Sequence, residues 1–113
     1  MYIKKIDDVT KTSIEDNMTK GVTRQILLGI EEGSTNIIMR LFTVAPRGHS
    51  PLHTHDYEHL VKVEKGRGIV IHESEEKEIM TGDVVYVKPN EKHQFRNPFD
   101  EELQFICVIP NKE

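Results

Sequence analysis

The chain has 113 residues, of which 36 % are hydrophobic and 30 % charged, with a formal net charge of −4. That suffices for one packed domain, read as residues 1–113, and the mixed charge signs without a Lys/Arg block argue against a nucleic-acid partner. No apolar run approaches the roughly 18 residues of a membrane span, the opening "MYIKKIDDVTK" has no signal-peptide core behind it, and a lone Cys107 points to a reducing cytoplasm.

In chain order, a polar lead-in (1–20) precedes "VTRQILL", which reads as a strand stopped by "GIEEGST". "NIIMRLFTV" follows and is expected to end at "APRGHSP", where two prolines and a glycine oppose a central strand. Then come "HLVKVEKG", "GIVIHE", a polar hairpin "SEEK", "EIMTG", "DVVYV", the turn "KPNEK", "HQFRN" and "LQFICVI". Roughly eight short strands with turns every 8–12 residues predict an all-β sandwich or barrel.

Side chains on a strand alternate faces with period two. If "HTHDYEHLVKV" is extended, His53, His55, His59, Val61 and Val63 share the inner face, and Glu58 falls out of phase. In "LQFICVI", Gln104 marks the outside, so Leu103, Phe105, Cys107 and Ile109 point in. Ile106 and Val108 then point out and need a cover, for which a partner subunit is the expectation. Arg40 is read as outward, with Ile37, Met39 and Leu41 inside; turned inward it would be an anion clamp. His49, in the Gly/Pro loop, and His72, beside the acidic hairpin, read as surface residues.

Three of the six histidines lie within "PLHTHDYEH". His53 and His55, at i and i+2, aim at one point; His59 follows in phase, and His93 in "NEKHQFRN" is the fourth candidate. Neutral imidazole carries the lone pair a metal needs, and ligand type alone admits zinc, copper, nickel or iron.

"GHSPLHTHDYEHLVKVEKG" resembles the first motif of the cupin superfamily, and "GDVVYVKPNEKHQFRN" its second, ending in H-x3-N. The two are joined by "RGIVIHESEEKEIMT", the short spacing of compact single-domain bacterial cupins, and the resemblance covers about residues 36–109. It implies an antiparallel double-stranded β-helix, or jelly-roll barrel, of six to eleven strands, and adds manganese to the possible metals. It also implies a homodimer, since cupins commonly dimerise. Where the first motif usually has Glu, this chain has His59, so the implied ligands are His53, His55, His59 and His93. Glu58 is the competing ligand, disfavoured by phase and spacing. In the second motif Lys88 and Asn90 replace the usual proline and glycine; Asn90 tolerates the left-handed conformation, so the turn is expected to survive.

The expected pocket above one divalent transition metal (Mn, Fe, Ni, Cu or Zn) is lined by Val61, Phe95, Phe105, Cys107 and Ile109, with Arg40 as a further candidate. The leading functional expectation is a mononuclear metalloenzyme, dioxygenase-like or an isomerase or lyase, acting on a small oxygenated substrate. The alternative is a non-enzymatic module that binds a metal or small ligand, as sensor or store. No residue is singled out as catalytic beyond the metal set.

Overall fold

The computed structural model describes residues 1–111. Nine strands run β1 Thr12–Ser13, β2 Lys20–Leu28, β3 Ile37–His49, β4 His59–Lys65, β5 Arg67–His72, β6 Glu75–Met80, β7 Val84–Val87, β8 His93–Arg96 and β9 Leu103–Pro110. Two single 3₁₀ turns, Ile6–Asp8 and Ile30–Glu32, supply the helical content, and no helix among the described residues is long and apolar enough to cross a membrane. Every strand pairing is antiparallel, in the order β6-β5-β8-β3-β9-β4-β7, with β2 also on β3 and β1 on β2. The sheet curls into the all-β jelly-roll barrel expected from the motifs.

The alternation expected of β4 and β9 holds. His59, Val61 and Val63 are buried while Leu60 and Lys62 are exposed; Leu103, Phe105 and Cys107 are buried in β9. Val44, Val63 and Leu103 are sealed from solvent, and Phe105 stacks between Phe95 and Phe42 with ring centroids 4.4 and 5.5 Å away. The outer face of β4, β7 and β9 carries Leu60, Val84 and Tyr86, all more than half exposed, beside Ile106 and Val108.

Four local expectations need correction. First, β3 does not stop at "APRGHSP": it continues through exposed Pro46 to His49. A bulge makes this possible, because Arg47 takes φ 69° and its N–H turns to the Asn97 carbonyl. Gly48 then passes so close to β2 that a Cβ would lie 2.6 Å from the Lys20 carbonyl oxygen. Second, the polar hairpin is present but turns earlier than "SEEK": Glu73 and Ser74 form its turn, with Glu73 at φ 53°, and β6 begins at Glu75. Third, the polar lead-in is structured. β1 pairs with β2, and buried Gln25 donates to the carbonyls of Ile6 and Val9, both at 3.0 Å, tying the first residues over the barrel's outer wall. Fourth, that cover reverses the assigned phase of β3. Leu41 is buried on the outer side near Ile6 and Gln25, Ile37 is exposed, and Arg40, Phe42 and Val44 face inward.

Asn97, the last residue of the second motif, is 1 % exposed and knots three segments. Its Nδ2 donates to the carbonyls of Val44 (3.0 Å) and Glu101 (2.7 Å), and its Oδ1 accepts from the N–H of Phe99 (3.1 Å). Asn97→Ala is therefore expected to lower unfolding stability by roughly 1–3 kcal/mol for each buried group left unpartnered. Urea denaturation checks this; an unchanged midpoint would refute it.

Candidate metal centre

Four histidines are delivered to one end of the barrel by three chain segments. His59 opens β4, opposite Val87, and His93 opens β8. His53 and His55 lie in the loop before β4, so the segment is not the continuous strand assumed from phase. Two backbone bonds of 3.0 and 3.1 Å make His53 a bridge to His93. The carbonyl of His55 accepts from Asn90 N–H at 2.6 Å, and Asn90 adopts φ 66°, so the altered turn of the second motif does survive.

His53, His55 and His93 offer nitrogen atoms that all lie within 4.8 Å of one another. The Nε2 atoms of His53 and His55 are 3.1 Å apart. Nδ1 of His93 lies 2.9 Å from the Glu91 carbonyl, which only accepts, so Nδ1 carries the proton and Nε2 keeps its lone pair. His59 stands alongside, its ring centroid 5.1 Å from His55 and 5.0 Å from His93. Its Nδ1 is 3.4 Å from Cys107 Sγ, and its buried Nε2 has no hydrogen-bond partner among the described residues. The clustered nitrogens of His53, His55 and His93 are a donor set that fits a transition-metal ion; the His59 ring packs against theirs but its nitrogens fall outside that 4.8 Å group, and its orphaned Nε2 is the further atom still to be satisfied. Glu58 is exposed and accepts from Tyr86 Oη at 2.9 Å, away from the ring cluster.

Burial favours the neutral form of His53, His55 and His59. Burial, then the neighbouring histidines and Arg40, push His59 down to about 3. Burial and the flanking His55 and His93 push His53 down to about 4, and burial, His93 and Arg40 lower His55. Burial raises the Cys107 thiol, with Arg40 opposing.

A cavity of about 220 Å³ opens over the histidines, below the roughly 300–1,000 Å³ that holds drug-sized ligands. Phe95, Phe105, Cys107 and Arg40, all expected at the pocket, line it. Val61 and Ile109 do not. Val61 is packed in the core, and Ile109, near the end of β9, packs against that core from its edge. Arg40 faces inward, correcting its assigned direction, because β3 pairs it with inward Cys107; its Nη2 lies 3.2 Å from Sγ. Sequence reading missed Thr19, Arg24 and Tyr57, which also border the cavity. Arg24 was findable, since it lies two residues from inward Val22 on β2; Thr19 precedes that strand and carries no such signal. Tyr57 stacks on His55 and His59 at 4.8 and 5.2 Å. His49 stays outside the cluster, its Nδ1 3.1 Å from the Ser50 carbonyl, and half-exposed His72 lies near Glu75 and Glu91.

Unfolded histidine titrates near ~6.5, while His59 and His53 in the fold accept protons only near 3 and 4. Between those values the unfolded chain binds more protons, so the stability of the neutral rings is full above about 6.5 and declines as pH falls towards 4. Melting temperature is expected to drop steadily over that interval, with a shallower slope for His59→Gln. A flat profile would refute the assignment of neutral buried rings.

The family model Cupin_2, Cupin domain, matches residues 40–109. Over 90 residues, or 80 % of this chain, the sequence is 38 % identical to 1-methylthio-D-xylulose 5-phosphate methylsulfurylase of Rhodospirillum rubrum, and spans 56 % of that protein's length. The structure superposes on Rru_A2000 of Rhodospirillum rubrum, a cupin-2 domain, with TM-score 0.83 and 32 % identity, covering 100 % of this chain and 76 % of the other. It also superposes on the polyketide cyclase RemF of Streptomyces resistomycificus with TM-score 0.92 and 23 % identity, covering 97 % and 79 %; at that identity the likeness concerns the fold. With the barrel, both histidine motifs and this match over most of its length, the chain belongs to the cupin-domain family.

Proposed function

We propose that the protein is a mononuclear metalloenzyme acting on a small oxygenated organic substrate, with dioxygenase-like or isomerase/lyase chemistry. The observation that carries this reading is the orphaned Nε2 of buried His59 beside three converging imidazoles, at the base of a small cavity. His53, His55, His59 and His93 would hold one divalent Mn, Fe, Ni, Cu or Zn ion. Four neutral ligands leave such an ion its full +2 charge, so when bound it supplies a strong Lewis acid towards substrate oxygens.

The chain's own groups do the rest. The Glu91 carbonyl fixes the tautomer of His93, and Cys107 holds the orientation of His59. Phe42, Phe95 and Phe105 give the cavity an apolar wall. An open cavity supports catalysis over the alternative of a module with a closed metal shell, and the methylsulfurylase relative, itself an enzyme, supports it too. Cys107, unbridged, supports a reducing, cytoplasmic setting.

We further propose a homodimer in which a second copy covers the outer face of β4, β7 and β9. Leu60, Val84 and Tyr86 are exposed there, and β7 ends the sheet order with a free edge.

Two measurements test these readings. In elemental analysis, His59→Gln is expected to lose most of the metal that the wild type retains, whereas Glu58→Gln retains it. The reverse pattern sinks the four-histidine assignment, and a metal-free wild type sinks the metalloenzyme. In light scattering the wild type is expected at the dimer mass and Leu60→Glu at the monomer mass; a monomeric wild type at micromolar concentration refutes the dimer.

A further inference from the structure

Among the described residues, four buried side-chain nitrogen and oxygen atoms have no hydrogen-bond partner: Thr19 Oγ1, Arg24 Nε, Arg40 Nε and His59 Nε2. All four residues border the same cavity. Such atoms are uncommon in folded proteins because each forgoes its bonds to water without replacement. Gathering all four around a single space marks it as a binding site: His59 Nε2 offers a lone pair, whereas Thr19 Oγ1, Arg24 Nε and Arg40 Nε call for a ligand that supplies acceptors.

The arginines say which kind. Of the five in the chain, Arg47, Arg67 and Arg96 pair on the surface with Asp100, Glu78 and Glu76. Arg24 and Arg40, the two at the cavity, have no carboxylate partner among the described residues. Arg40 lies against soft groups, with Cys107 Sγ at 3.2 Å and its Cζ 4.8 Å from the centroid of the Phe42 ring. Arg24 sits opposite Phe42 across the β2–β3 pair, on the same face. A guanidinium stays protonated at any physiological pH, so burial cannot silence these charges as it silences the histidines. The nearest acids acting on the ring cluster are Asp16 and Asp56, and both are exposed.

We propose that Arg24, Arg40 and Thr19 form an oxyanion subsite that holds the negatively charged end of a small substrate while its other end reaches the histidine nitrogens. The inference rests on the metal-site reading for the second end only. The shared chemistry is a compact oxyanion, carboxylate or phosphate, whose oxygens accept from both guanidinium groups and the threonine hydroxyl. A cavity of about 220 Å³ restricts the rest of the molecule to a few carbon atoms.

The test titrates inorganic phosphate and succinate separately into metal-loaded and metal-free wild type at low chloride. Proton–nitrogen NMR follows the Nε–H signals of Arg24 and Arg40, assigned by triple-resonance spectra of the wild type and checked with Arg24→Gln and Arg40→Gln. One probe is expected to shift both signals saturably in both forms, and the tighter probe names the oxyanion. Each variant is expected to weaken that binding by about tenfold or more with unchanged metal content, while Arg47→Gln binds like wild type. Signals that stay still for both probes overturn the subsite, as do variants that bind as tightly as wild type. Should a variant fail to fold, the wild-type titration alone decides. Protein that takes up no metal but shows the arginine shifts refutes the metal reading and upholds the subsite; metal-loaded protein without the shifts does the opposite.

Discussion

Eight consecutive residue pairs, from Ile37–Pro110 to Val44–Leu103, lock β3 onto β9. Directly opposed residues share a face, so this register sets Arg40 beside Cys107, Phe42 beside Phe105 and Val44 beside Leu103. A slip by one residue would send Leu41 and Thr43 inward and Arg40 out. The cavity's guanidinium, its aromatic wall and its thiol thus follow from one pairing. The opposite face of β3 is buried as well, because Gln25 holds the first residues over Leu41. Both faces of the strand are therefore specified, which leaves its register no freedom.

Against that frame the site gathers titratable groups that respond to burial in opposite ways. Imidazoles shed their protons when desolvated and crowded, and His53, His55 and His59 are all shifted in that direction. Guanidinium groups do not. The result is a small apolar space with lone pairs at one side and fixed positive charge at another. Its supports are backbone bonds rather than flexible side chains: His53 is bridged to His93, and His55 is tied to Asn90. Positions held in this way keep their aim whether or not anything is bound.

Much of this was readable from residue order. The two histidine motifs named the barrel and the clustered rings of His53, His55 and His93, and the period-two alternation of "HLVKV" and "LQFICVI" identified their inner faces. It failed where burial came from a distant segment. In "NIIMRLFTV" the alternating apolar residues read as the core face, but Leu41 is covered from outside by residues that read as a polar lead-in, and Arg40 takes the inner place. "APRGHSP" misled because proline and glycine usually end strands, whereas a bulge at Arg47 carries β3 through them. Arg24 obeys the same alternation as Val22, yet a charged residue on an inner face is discounted until the space it faces is known.

The β3–β9 ladder joins stretches far apart in the chain; Arg40 and Cys107 are 67 positions from one another. Pairings of that separation form late, since the loop between them must be closed before the contacts repay its entropy. The histidines share this history, because His53–His59 precede the β5–β6 hairpin and His93 follows it. No partly folded chain that lacks this closure presents the assembled ring cluster. Any ion or anion held there binds the finished barrel alone, and by mass action it draws the folding equilibrium towards that state. Occupancy of the cavity is then a checkpoint on the completeness of the fold: a nascent chain released with its hairpin unpaired has no means of retaining the ligand.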